Sequence, residues 1–431
     1  MIATAIALIG SGIGLAPASA MQIQRVVSPG GIEAWLVEEH AIPLVTLNFA
    51  FPGGSAQDPA GKEGLANLMT TLFDEGADDL ASAAFQEKLE DNAVRMSFSD
   101  SRDVITGQLS TLGETRDIAF DLLRKALTRP RFDAEAVERM RRQAVAALRR
   151  SARDPEEIAA DTFARISFPG HPYGRLTGGT EATLTAITPA DLKAQHQRMF
   201  VRDGLKISVV GAIDAKTLAT ELDRIFGALP AKGRLEPVAD TVPRTGLREA
   251  VTLPIPQTII RFGLPGIKRE DPDFIAAFVM NHILGGGSFS SWLYEEVREK
   301  RGLSYSVYSA LGPLDHAGMF IGGAATRADR AKESLDLIRA QIRRMAEVGP
   351  SADELAKAKA FITGSYALRF DTSDKIAGQL LAIQMDDLGI DYIERRNGLV
   401  DKVGLEDIRR VAKRLLTGEP TVVTVGPASG G

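Results

Sequence analysis

Short apolar or alternating runs of strand length recur along the chain: IEAWLVE, LVTLNFAF, DVITGQLS and LKISVVG, then TIIRFGL, SYSVYSAL, GMFIGGAA and TVVTVG. Period-two or continuous apolar patterning of this length predicts strands. Between them lie longer stretches of helical character at 61–73, 114–127 and 133–152, and again at 273–284, 329–347 and 351–368. Strands and helices are clustered rather than strictly alternating. That arrangement predicts an α+β fold, a mostly antiparallel sheet with helices packed on one face. One predicted helix stands out: GKEGLANLMTTLFDEGA (61–77) reads as an amphipathic helix ending at a glycine, and it carries Asn67, Thr70 and Thr71.

The pattern is written twice. NFAFPGGSAQDP (48–59) and RFGLPGIKREDP (261–272) share Phe, Pro-Gly and Asp-Pro at a constant offset of 213 without a gap, and a predicted helix follows each. The ends correspond too: ITPADLKAQHQRMFVRDGLKISVVG (187–211) and VGLEDIRRVAKRLLTGEPTVVTVG (403–426) both run from an acidic residue through a basic helix and a turn to an apolar strand closing on glycine. Agreement at both ends and in order indicates tandem duplication of a unit of about 215 residues. The joint falls in ALPAKGRLEPVADTVPRTG (228–246), rich in Pro, Gly and charge as linkers are. The expected organisation is therefore an N-terminal half at 21–229, a linker at 230–246 and a C-terminal half at 247–431.

A length of 431 residues suits two cores rather than one. A net charge of −5, with basic residues spread along the chain, leaves no electrostatic footprint for nucleic acid. The first twenty residues, MIATAIALIGSGIGLAPASA, hold no charged side chain and end in Ala18-Ser19-Ala20. That predicts a signal peptide cleaved before Met21, an exported, periplasmic protein, and no membrane attachment after cleavage. A membrane anchor is the alternative, but Gly10, Gly12, Gly14 and Pro17 interrupt a run barely long enough to span. The absence of cysteine excludes thiol catalysis and cysteine-ligated metal centres.

Chemistry encoded within the chain is sparse. LGGGSFSSWL (284–293) lacks the lysine and spacing of a phosphate loop. The five histidines, His40, His171, His196, His282 and His316, show no metal-ligand spacing, and no G-x-S-x-G occurs. LYEEVREKRGLSYSVYS (293–309) reads as a charged helix, a stop at Gly302 and an alternating strand. Such a turn could aim Arg298 and Tyr305 at one point. Periodicity alone favours a plainer description, a surface arginine and a half-buried strand tyrosine.

Taken together, PGGS followed by GKEGLANLMTTLFDEGA, the TRPRF turn (128–132), HPYG (171–174) and LGGGSFSSWLYEEVREKRGLSYSVYS resemble the pitrilysin/insulinase family of inverted-motif zinc peptidases, in its short bacterial and processing-peptidase branch. The resemblance covers nearly the whole mature chain. It implies two homologous α+β halves forming a clamshell around a chamber for unfolded peptides. Active members carry H-x-x-E-H on the first helix and a distal Glu. Aligned on Gly64-Leu65-Ala66, the histidine positions are Asn67 and Thr71, the base position is Thr70, and the distal Glu falls near Met140. The resemblance thus implies a degenerate zinc site and no metal or other cofactor in this chain.

It further implies the zinc-free subunit of a heterodimeric metalloendopeptidase. A homologous partner would carry the zinc, and this chain would supply Arg298 and Tyr305 for substrate binding and transition-state stabilisation in trans. The glycines Gly285, Gly286 and Gly287 would line the substrate path. An inert pseudo-peptidase, acting as a structural or peptide-binding scaffold, is the competing expectation.

Overall fold

The computed structural model describes residues 21–428; the proposed signal segment lies outside them. Among the described residues thirteen strands form two large sheets and one short hairpin. In the N-terminal half these are β1 (Gln24–Val27), β2 (Glu33–Glu38), β3 (Leu44–Pro52), the hairpin strands β4 (Gly76–Ala77) and β5 (Leu80–Ala81), β6 (Arg95–Asp100), β7 (Val104–Leu112) and β8 (Lys206–Gly211). The C-terminal half contributes β9 (Arg248–Thr252), β10 (Gln257–Pro265), β11 (Ser304–Leu314), β12 (Ala317–Arg327) and β13 (Thr421–Gly426).

The first large sheet has the order β1-β2-β8-β3-β7-β6 and the second the order β11-β12-β10-β13-β9. Read in reverse, the second order reproduces the first from β2 to β6, the duplicate of each strand falling in the same place. Both sheets are antiparallel except at β2–β8 and at its copy β9–β13, which are parallel. The duplication read from the sequence is therefore a duplication of topology, and the chain is two α+β halves.

Alternation explains the layering. In β3, Val45, Leu47, Phe49 and Phe51 point to one face and are fully buried, with the helices Arg116–Thr128, Pro189–Met199 and Ala215–Phe226 contributing to the same core. In β10, Ile260, Phe262 and Leu264 do the same beneath Phe274–Asn281, Ala331–Glu347 and Leu405–Leu415. Between the halves, residues 230–246 run without helix or strand.

The second face of each sheet is where the halves interlock. Helix Ser373–Met385, from the C-terminal half, lays Ala377, Leu380 and Ile383 on Trp35, Val37 and Val210 of the N-terminal sheet. Its Gln384 donates to Ile207 O at 3.0 Å, and Ser208 donates to Ala377 O at 2.8 Å. Reciprocally, helix Pro155–Ser167 of the N-terminal half lays Ala159 and Phe163 on Ile259, Val423 and Val425. Phe163 sits over Gly263, where an added Cβ would lie 2.5 Å from its ring. The two faces are thus closed by an exchange of equivalent helices.

A polar contact also joins the halves. Tyr173, from the HPYG motif, is fully buried; it donates to Asp103 Oδ1 at 2.6 Å and accepts from His316 N at 3.0 Å. The motif is accounted for by this packing and not by chemistry. No helix of the described residues is long and apolar enough to cross a membrane.

Candidate functional site

By resemblance, zinc chemistry would sit on the first helix of the N-terminal half. That helix is shorter than its pattern suggests, Leu65–Thr70, with Gly64 at its N-cap in the left-handed conformation (φ 92°) and Thr71 as C-cap. Gly64 is required twice: by that φ and by Gly178 O, 2.6 Å from where a Cβ would stand. Thr70 Oγ1 donates to Asn67 O and Thr71 Oγ1 to Leu68 O, both at 2.8 Å. Hydroxyls turned back onto the preceding turn compete with helix propagation, which is why the helix stops early.

The four residues that the resemblance sets at the zinc-site positions are engaged otherwise. Asn67 Nδ2 donates to Asp100 Oδ1 at 2.9 Å. Thr70 is buried with its hydroxyl spent, and Met140 is packed partly buried against the hydrophobic core. Amide and hydroxyl oxygens are weak ligands beside imidazole and carboxylate. The residues present do not fit a zinc ion. Among the described residues no group of three or more His, Asp or Glu could hold a metal.

Two carboxylates escaped notice in the sequence. Asp58, marked there only as part of a repeated Asp-Pro, accepts the N–H groups of Gly64 and Ala66 at 2.9 Å and so anchors the helix start. Burial pushes its carboxyl up to about 7, against the pull of those donors. Burial raises Asp100 as well, against the Asn67 hydrogen bond. The five histidines are engaged elsewhere. The most buried, His196, donates to Leu127 O at 2.8 Å, and burial lowers it to about 4.

Arg298 and Tyr305 have a different setting. The segment expected to be an ordinary charged helix is a wide helical turn over Tyr294–Glu299, with Lys300 N bonded to Glu295 O at 2.9 Å. Gly302 ends it at φ 60°, and β11 begins at Ser304 on the edge of the sheet. There Ser304 pairs with Thr326 and Ser306 with Ala325, so Tyr305 is the extra residue of a β-bulge. Ser304 Oγ pins the bulge by donating to Ala325 O at 2.6 Å. Bulges and wide helical turns re-aim side chains, and both recur beside functional sites.

The result is a pair. The Arg298 guanidinium carbon lies 4.7 Å from the Tyr294 ring centre and 4.8 Å from that of Tyr305, and Nη1 donates to the Tyr294 hydroxyl. Arg298 is thus sandwiched between two rings, a geometry that restricts a long side chain at little cost in charge. Tyr305 is 80% exposed instead of half-buried, and its hydroxyl makes no hydrogen bond among the described residues. Tyr294, the arginine's second wall, was not singled out in the sequence; its spacing of four residues from Arg298 was the available signal.

The glycines just upstream divide their roles. Gly285 is buried against β11, a Cβ there meeting Ser309 Oγ at 2.4 Å; Gly287 is buried beside His282; Gly286 is exposed. Close approach of backbone to backbone, more than flexibility, explains glycine at 285.

Residues 35–181 match the family described as insulinase (peptidase family M16), and residues 186–362 match the peptidase M16 inactive domain. The chain belongs to peptidase family M16. A relative from Helicobacter pylori, the non-peptidase homolog YmxG, is 29% identical over 85% of this chain and 84% of its own length. An uncharacterized zinc protease of Streptomyces coelicolor is 25% identical over 94% of this chain and 90% of its own. Among solved structures, the peptidase M16 inactive domain from Pseudomonas fluorescens superposes with a TM-score of 0.89 at 27% identity, over 95% of this chain and 98% of that one. Within family M16 this chain is a catalytically inactive member.

Proposed function

We propose that this chain is the zinc-free, substrate-binding subunit of an exported heterodimeric metalloendopeptidase acting on unfolded peptides. Its homologous partner carries the zinc. The observation that carries the reading is the presentation of Arg298 and Tyr305: ring-clamped, side by side at the surface, with a free phenol. An inert chain has no use for a phenol held out on a bulge.

The chemistry assigned to each follows from its donors. Peptide hydrolysis builds negative charge on the scissile carbonyl oxygen, and a positioned phenol O–H stabilises that charge where it develops. The Arg298 fork has donors beyond the one held by Tyr294 and can grip substrate carbonyls. Edge strand β11, which carries Tyr305, offers main-chain groups to an extended peptide, giving affinity with little sequence preference.

Mixing the purified chain with a zinc-bearing homologue from the same cell should raise hydrolysis of an unstructured peptide above that of the homologue alone. No increase sinks the reading. A peptide-binding scaffold rests on the same exposed surface, and Tyr305→Phe separates the two. In the catalytic reading the variant binds peptide normally but fails to activate the partner; a scaffold would be indifferent to it.

A further inference from the structure

Behind the glycine segment lies a cavity of about 170 Å³. Its wall includes His282, Gly287, Ser288, Phe361, Arg369 and Arg396, and no Asp or Glu. Arg396 is only 6% exposed. Nη1 donates to Ile362 O and to Asn397 Oδ1, both at 3.1 Å, and the guanidinium lies 4.1 Å from the Tyr366 ring centre. No carboxylate takes its other donors. Asp386, which lines a second cavity together with Arg396, is held by Arg269 at 2.9 Å. Arg369, exposed at the mouth, likewise has no ion pair among the described residues.

A buried guanidinium without a counter-ion is costly and therefore uncommon. Burial, together with the neighbouring charges of Arg369 and Arg269, pulls Arg396 below its ordinary range, the direction that uncompensated positive charge produces. His282 stacks on Phe361 at 5.3 Å, and burial lowers it below its ordinary value too. Phe361 in the wall, and Phe289 and Leu368 next in sequence to the wall residues Ser288 and Arg369, are 58%, 76% and 70% exposed. Apolar groups beside an unneutralised arginine pair match a peptide better than a free inorganic anion.

We infer that the cavity bounded by Arg369 and Arg396 is a carboxylate pocket that holds a peptide by a terminal or side-chain carboxylate, with apolar residues of the peptide on Phe289, Phe361 and Leu368. The inference rests on the peptide-binding part of the function proposed above, but not on catalysis in trans.

Three versions of one unstructured apolar ten-residue peptide test it on the isolated chain by calorimetry. The first ends in a free carboxylate, the second is amidated, and the third is amidated with one internal glutamate. Charge-assisted hydrogen bonds should make the free acid or the glutamate peptide bind about tenfold tighter than the plain amide. Tightening by the free acid alone identifies the chain terminus; tightening by the glutamate peptide identifies an acidic side chain. Arg369→Ala, at an exposed position, should abolish the difference while the thermal melt stays unchanged, and Arg369→Lys should restore part of it. Equal binding of all three peptides, a preference that survives Arg369→Ala, or no binding at about millimolar peptide overturns the pocket. Activation of the zinc-bearing partner, read separately with Tyr305→Phe, can succeed or fail independently of these outcomes.

Discussion

The two ends of this family's chemistry have met opposite fates in one chain. At the N-terminal helix the polar side chains are spent within the chain, Asn67 on Asp100, Thr70 and Thr71 on helix carbonyls, and Met140, on the helix Ala134–Ser151, packs against the same core. At the edge of the C-terminal sheet, Tyr305 is turned outward with its hydroxyl unspent beside a clamped Arg298. Groups that have satisfied one another serve stability; groups held in place but left unsatisfied await something outside the chain. The duplicated aspartates are both satisfied within the chain, but by different means. Asp58 caps a helix from a buried position, whereas Asp271, in the same place in the second copy, pairs with Arg414 at 2.6 Å. That hydrogen-bonded partner pulls Asp271 below its ordinary range, while burial drives Asp58 up.

The comparison breaks most decisively at Tyr305. Loss of the phenol hydroxyl in Tyr305→Phe should lower turnover of the two-chain mixture about 100- to 1000-fold, roughly 3–4 kcal/mol of barrier, as loss of one oxyanion donor does. An unchanged rate removes Tyr305 from the reaction.

The next effect concerns the interior of the N-terminal half. His196 stays neutral in the fold down to about pH 4, whereas the unfolded imidazole takes a proton near 6.5. The unfolded state therefore binds more protons as pH falls through that window, and stability declines by about 3 kcal/mol across it. Asp58 acts in the opposite sense, since its folded carboxyl protonates near 7, above its ordinary 3.8. Denaturant unfolding of wild type and His196→Gln between pH 7 and 4 isolates the imidazole; the variant should lose less stability on acidification. Identical pH slopes would contradict the assignment.

Asn67→Ala should cost about 1–3 kcal/mol of stability, because it strips the half-buried Asp100 of its donor. It should leave activation of the partner untouched, and a loss of activation without loss of stability would restore a functional role to the first helix. The smallest expected effect completes the contrast: Tyr305→Phe should shift unfolding by less than about 0.5 kcal/mol, as substitutions at exposed positions do.

Much of the fold was legible because the buried faces of its central strands follow period two. The runs read as strands at 44–51, 258–264 and 421–426 lie within β3, β10 and β13. The outer strands β1, β6 and β9 were not anticipated; in β6 and β9 no residue is fully buried, so neither presents a core-facing apolar row. Helix Ser373–Met385 was also missed, since its apolar face answers to a sheet in the other half and not to its own neighbours. Arg298 and Tyr305 could be named from residues, but half-burial of Tyr305 was the natural expectation for an ordinary strand.

The sequence by itself determined the duplication and the α+β class, because each depends on residue type and spacing alone, while the missing zinc ligands were implied by setting Asn67, Thr70, Thr71 and Met140 against the pattern of the family it resembles. Only the tertiary structure decided that the halves exchange helices, that Asn67 of the first helix is taken up by Asp100 of β6, and that a bulge lifts Tyr305 out beside Arg298. Those depend on which distant backbone and side-chain groups find one another. Hydrogen-bond and packing partners nearly two hundred residues apart, such as Gln384 with Ile207, leave no local pattern to read.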